Sequence, residues 1–255
     1  MQWLQKWAVA IGIIGALGLS TVSSRLLRPV LIDLGVTGYA FPIAVTMFDL
    51  IVLICVVLIF GGKPLATIAE WSGLNAPLPP ALLFALAVFV PAIAVCAYLA
   101  PYAKDIDAAG FAWKVVGGPF CEELAFRGIA LGALIQFCGW RFLPAALLPA
   151  LIFGLAHASQ GNDAMEAAGI VAITAAGGLF FGWLFVKWSF SIWVPFLFHA
   201  GMNGIWLVFD LGENAVGGWF GNIVRIAVVA AAIAITVWVL PAFRKPPVEP
   251  AISGA

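Results

Sequence analysis

Long apolar windows, separated by glycine, proline or charge, organise this chain. Eight stand out, at roughly 5–24, 40–60, 81–101, 113–137, 142–158, 166–187, 190–209 and 219–241. A helix that crosses the hydrocarbon layer needs about 20 residues, and each window is close to that length. The windows are too long and too uniformly apolar for the alternating strands of a membrane barrel. Lipid offers open backbone groups no partner, so each window predicts an α-helix. The pattern predicts an all-α, polytopic membrane protein with about eight transmembrane helices, a single integral-membrane domain over 1–255.

The connections add detail. Residues 61–80 carry Lys63, Glu70 and several prolines, and predict an interfacial loop or short surface helix holding Trp71. Lys6 and the apolar run after it resemble a secretory signal. No clean small-x-small cleavage site follows before Arg25, so the run reads as a retained first span. The segment 242–255, with Arg244-Lys245-Pro246-Pro247, reads as a polar tail. Gly128 and Gly132, and likewise Gly178 and Gly182, are four apart. Small residues at that spacing let helix backbones approach closely. Most of the eleven tryptophans read as interface anchors or packing.

Composition fits this layout. The chain is 64% hydrophobic and 9% charged, against about 25% charged in soluble domains. Its formal net charge is zero, so no basic field invites nucleic acid. Cys55, Cys96, Cys121 and Cys138 lie in or beside apolar segments without metal-knuckle spacing, which argues against a disulfide framework. Lys6, Lys63, Arg141, Lys187, Arg244 and Lys245 fall on the side of the termini, and Arg25, Arg28 and Lys104 on the other. That imbalance predicts a multi-pass protein of the cell membrane with cytoplasmic termini.

Against this background Glu122-Glu123-Leu124-Ala125-Phe126-Arg127-Gly128 is conspicuous. A charge at bilayer depth costs on the order of 2.5–3.5 kcal/mol on insertion scales. Glu123 and Arg127 are four apart and share a helix face, so they predict an ion pair. Glu122 is rotated about 140° from Arg127 and lacks a local partner. A desolvated, unpaired carboxylate is suited to act as a general base. Gly117-Gly118-Pro119 predicts a helix start or kink there, with both glutamates near an N-terminal turn whose dipole favours anions. The chain's two histidines, His157 and His199, lie in separate apolar windows, and Asn203 stands one turn beyond His199. Asn203 is suited to donate to an oxyanion or to orient His199. Pro195, four residues before His199, predicts a kink and a freed carbonyl.

Glu122-Glu123-x-x-x-Arg127, Phe153-x-x-x-His157 and His199-x-x-x-Asn203 resemble, in order, the three motifs of the CAAX protease and bacteriocin-processing family. The resemblance covers about 115–210 in detail. It implies an intramembrane glutamic-type endopeptidase with its helices around a catalytic cavity. Glu122 would activate water, and His157 would position that water or shuttle its proton. His199 and Asn203 would stabilise the oxyanion, while Glu123 and Arg127 support the arrangement. The resemblance implies no cofactor and no metal. Its implied partners are membrane lipids and a membrane-associated protein or peptide, with no nucleic acid. Eukaryotic relatives trim prenylated proteins, and bacterial relatives are linked to bacteriocin processing or immunity.

Other readings compete. Two histidines and a carboxylate are a plausible zinc set, although no His-Glu-x-x-His is present. Cys121 with His157 would make a cysteine peptidase, but buried cysteine is more often a small apolar filler. Asp49 in the second window suits a proton-coupled transporter. A non-catalytic immunity or binding protein would need none of the acid–base set. Lys114 and Arg225, near window ends, read as snorkelling cations.

Overall fold

The computed structural model describes residues 2–240, and every regular element among them is helical. The expected tail at 242–255 lies outside the described residues. The long helices are α1 (Trp3–Asp33), α2 (Ala40–Gly61), α4 (Leu78–Leu99), α6 (Phe142–Ala156), α7 (Ala164–Lys187), α8 (Trp193–Val208) and α9 (Trp219–Ala234). A short α3 (Ile68–Trp71) precedes α4. Helix α5 runs unbroken over 108–136 but changes winding: π turns occupy Ala112–Gly117 and Leu124–Leu131. Helix α9 also ends in a π turn, Ile235–Val239.

All eight windows contain a long helical stretch, yet six helices are long and apolar enough to cross a membrane. Two of the eight expected spans are not among the six. The fifth helix alternates α and π winding, so no single α-helical run in it is long enough, and α8, at 16 residues, is short. The first window ends before the helix does: α1 continues to Asp33 and carries Arg25 and Arg28 in its outer turns. Trp71 also departs from expectation. It is buried at 5% exposure, edge-on to Phe137 at 5.5 Å, and is no interface anchor. Its carbonyl accepts from Gln136 Nε2 at 3.0 Å, tying α3 to the end of α5.

Two apolar cores hold the helices together. One gathers α1, α2, most of α5 and α6, with Ile13, Leu53, Ile129 and Leu134 fully or almost fully buried. The other joins α4, α8 and α9, with Phe84, Phe198 and Val228 inside. Helix α7 contributes to both, through Phe185 and through Leu184. Large apolar side chains such as Leu83 and Ile93 remain exposed. That is the arrangement expected where the outer solvent is hydrocarbon.

Small residues decide how close α5 sits to its neighbours. A Cβ on Gly128 would stand 2.9 Å from the Ser72 carbonyl oxygen. One on Gly178 would press on Ala150 at 3.0 Å and on the Arg127 guanidinium at 3.3 Å. The free cysteines are Cys55, Cys96, Cys121 and Cys138, all but Cys55 buried.

Candidate active site

The winding of α5 around Pro119 builds the first part of the site. No helix begins at Pro119, which lies inside a continuous stretch. The two glutamates therefore sit mid-helix, without the N-terminal dipole the sequence suggested. The proline acts on a carbonyl instead. Gly118 N–H bonds the Trp113 carbonyl, five residues back, in the π pattern. The Lys114 carbonyl thereby loses its ordinary donor. Its π-pattern donor would be residue 119, a proline without N–H. Asn203 Nδ2 on α8 fills the gap, donating to Lys114 O at 2.8 Å.

This bond fixes the Asn203 amide. One N–H goes to Lys114, and the second remains for another acceptor. Asn203 does not orient His199. Pro195 likewise plays no kinking role, because it falls in the first turn of α8, where its missing N–H is unneeded.

One turn of α5 further on, Glu123 is completely buried and Arg127 is 2% exposed. Arg127 Nη1 donates to Glu123 Oε1 at 2.9 Å, the i,i+4 pair expected from spacing. The same oxygen receives His199 Nδ1 at 2.9 Å. The oxygen that accepts from Arg127 accepts from the ring as well, which makes Nδ1 the N–H donor of this bond. The imidazole is thereby locked with Nε2 turned away from Glu123. Glu123 Oε2 is buried without a hydrogen-bond partner.

Aromatic rings enclose this trio. The guanidinium carbon lies 4.8 Å from the Phe153 ring centre and 5.1 Å from that of Phe181. Phe181 also stands 5.2 Å from the His199 ring. Cation–π contact of this kind gains strength when water is excluded.

Glu122 occupies a different environment. Its side chain is 35% exposed, whereas Glu123 is 0% exposed. Glu122, expected to be desolvated and unpaired, is half-buried and faces the open side of the cluster. Its Oε2 lies 3.8 Å from His199 Nε2, too long for a hydrogen bond and short enough for one bridging water. His199 therefore stands between the adjacent glutamates, with one nitrogen toward each.

His157 caps α6, where its Nδ1 meets the Phe153 carbonyl at 2.7 Å. The His157 ring is 4.5 Å from the Phe153 ring, which lies 6.4 Å from His199. The two imidazoles thus flank one phenylalanine. Glu122, Glu123, Arg127 and His199 form one cluster, with His157 one ring away and Asn203 one turn along α8.

Sequence reasoning missed two participants. The Lys114 carbonyl was legible in principle, since Pro119 follows it by five residues. Phe181 carried no signal beyond its place beside Gly182 in an apolar helix. Among the described residues no group of three or more His, Cys, Asp and Glu has metal-holding geometry. Cys121 is packed in the first core.

Residues 105–205 match the model of one protein family, described as Rce1-like: Type II CAAX prenyl endopeptidase Rce1-like. This is the CAAX protease family that the three motifs resemble, and the match spans the segment that carries them. No curated protein and no solved structure matches the chain.

Proposed function

We propose that this chain is an intramembrane endopeptidase that uses Glu122 to activate water and cleaves membrane-associated, prenylated proteins or peptides. The single observation that carries the reading is His199 held between two glutamates, 2.9 Å from buried Glu123 and 3.8 Å from accessible Glu122. The family match adds the reaction class.

In this reading water enters beside Glu122. Its carboxylate takes a proton as the water oxygen attacks the scissile carbonyl. Negative charge develops on the carbonyl oxygen. The second Asn203 N–H donates to that oxygen, and His199, anchored through Nδ1 by Glu123, donates from Nε2 in the doubly protonated form, which in this reading it keeps throughout the cycle. When the C–N bond breaks, the proton on Glu122 passes to the leaving nitrogen. His157 holds the attacking water through its outer nitrogen. Arg127 holds Glu123 in place, and Glu123 orients His199 through Nδ1.

Glu122→Gln tests this directly. The amide keeps the shape and cannot take the proton, so cleavage of a prenylated peptide by reconstituted protein falls by roughly 10²–10⁴-fold. Thermal unfolding in detergent stays near wild type, because Glu122 supports no buried bond. Undiminished cleavage by the variant would refute the base assignment. Activity that survives a strong chelator separates this mechanism from a zinc peptidase, and activity that disappears favours the metal.

A further inference from the structure

The segment between α2 and α4 builds a cavity that the proposed chemistry leaves unused. Both flanking helices are long and apolar enough to cross a membrane, so the connection lies at one end of the bundle. Gly62, left-handed at φ 60°, ends α2 and turns the chain. Thr67 Oγ1 then donates to the Pro64 carbonyl at 2.8 Å and holds the turn that leads into α3. Cys138 Sγ, just past α5, meets the Lys6 carbonyl of α1 at 3.3 Å, so the start of α1 and the end of α5 meet at this level. Exposed Trp3 and Trp7 stand edge-on to each other there, and Trp7 edge-on to Trp140. Tryptophan gathers where hydrocarbon gives way to lipid headgroups, and this band sets the cavity at that depth.

The cavity measures about 320 Å³ and is lined by Lys63, Thr67, Glu70, Trp71, Gln136 and Phe137. Small-molecule sites begin at about 300 Å³. The lining carries both signs of charge. Lys63 Nζ stands 4.3 Å from the centre of the Phe137 ring, which places the ammonium on the aromatic wall. That contact uses none of its three N–H groups on an acceptor. Lys63 and Glu70 share the lining without pairing, and neither has another ion-pair partner among the described residues. The other polar groups are mostly acceptors. The Thr67 proton is engaged by Pro64, and one Gln136 amide proton by the Trp71 carbonyl at 3.0 Å. Thr67 Oγ1, Gln136 Oε1 and the Glu70 carboxylate are left for a ligand rich in N–H.

We propose that this cavity binds a phosphate joined to a primary ammonium, as in the ethanolamine headgroup of a membrane phospholipid. Lys63 takes the phosphate in a charge-assisted bond. Glu70 takes the ammonium, and Thr67 and Gln136 accept its further protons. A choline headgroup has no N–H to give these acceptors. A glycerol headgroup has no cation, so its phosphate meets Lys63 while Glu70 opposes the net negative charge. Soluble phosphoethanolamine carries the same two groups. The tryptophan band and the apolar helices on either side favour the lipid. The proposal is independent of the peptidase reading.

The test titrates the full chain, purified in neutral detergent, with short-chain phospholipids that share acyl chains and differ in headgroup. Native mass spectrometry reads the bound fraction for ethanolamine, choline and glycerol lipids, and for soluble phosphoethanolamine. Wild type is expected to favour the ethanolamine lipid over the other two by about fivefold. Glu70→Gln removes that preference and strengthens the glycerol lipid. Lys63→Gln weakens all three. Neither side chain makes a buried bond, so the unfolding temperature of both variants in lipid-free detergent stays at the wild-type value. Soluble phosphoethanolamine that binds as tightly as the lipid supports the recognition chemistry and assigns the site to a soluble ligand. Weaker binding of the soluble compound supports the lipid. Equal binding of the three lipids by wild type overturns the proposal. So does an ethanolamine preference that survives Glu70→Gln.

Discussion

Two carboxylates inside the helical bundle show how differently the same chemical group can be used. Asp49 joins α2 to α1: its Oδ2 accepts from Ser23 Oγ at 2.9 Å, and its Oδ1 is buried without a partner. Glu123 on α5 also has one oxygen without a partner. Its other oxygen, however, receives both Arg127 and His199 at 2.9 Å. A hydroxyl alone makes Asp49 a clasp between neighbouring helices. A guanidinium and an imidazole on one oxygen make Glu123 the fixed point of the proposed acid–base system. Carboxylate in a membrane span is therefore a weak indicator of chemistry. The number and charge of the donors that converge on it decide.

The sharpest way to break this comparison is to remove the cation. Arg127→Met leaves Glu123 buried with a histidine as its one polar partner. Breaking a buried pair from one side costs about 3–5 kcal/mol. The expected result is a large fall in folded yield and in unfolding temperature in detergent. Asp49→Asn, which preserves shape and the bond to Ser23, should stay within ~1 kcal/mol of wild type. Equal losses in the two variants would dissolve the distinction.

The double variant Glu123→Gln with Arg127→Met sharpens it. Replacing both partners of a buried pair is often close to neutral for stability. The double variant should recover most of the fold that Arg127→Met loses. Its His199, no longer held by an anion, should still leave kcat at least about 10²-fold below wild type. Recovery of activity along with stability would mean that Glu123 only balances charge.

The parts of this molecule that were readable in advance rest on local rules. Hydrophobic runs placed the helices because lipid punishes unpaired backbone, and i,i+4 spacing placed Arg127 on Glu123. What escaped depended on partners distant in sequence or on winding. Glu123 and His199 are 76 residues apart, and no local pattern joins them. Pro119 predicts a helix start or a kink, and no helix starts there. The π turn before it absorbed the missing N–H and passed the unmet carbonyl to Asn203. The exposure of Glu122 followed from the packing of α5 against α8, which windows of hydrophobicity do not encode. Trp71 was read as interfacial from its polar surroundings. Gly128, by letting the chain after Trp71 approach α5, helps bury it.

The Pro119 device gives a subtler test. Pro119→Ala supplies an N–H in the register that the Lys114 carbonyl lacks. Stability should be unchanged or higher, since proline inside a helix costs up to ~3 kcal/mol. Asn203 then competes with the backbone for Lys114 and becomes free to turn. Activity should fall about tenfold or less, through kcat more than KM, because the effect is on a transition-state donor. A faster enzyme would show that the Asn203–Lys114 bond restrains catalysis.

The smallest effect on turnover lies at the other carboxylate. Ser23 is fully buried, and its hydroxyl contacts Asp49 at 2.9 Å and the Ser20 carbonyl at 3.1 Å. Ser23→Ala removes the donor and leaves the second oxygen of Asp49 without a partner, a loss of about 1–3 kcal/mol. The α1–α2 pair loosens, while peptide cleavage per folded molecule stays at the wild-type rate. Thermal unfolding and single-turnover cleavage, measured on the same preparation, separate the two. A drop in turnover would mean that Asp49 reaches the acid–base system through α2 and α5, and the division between clasp and catalyst would have to be redrawn.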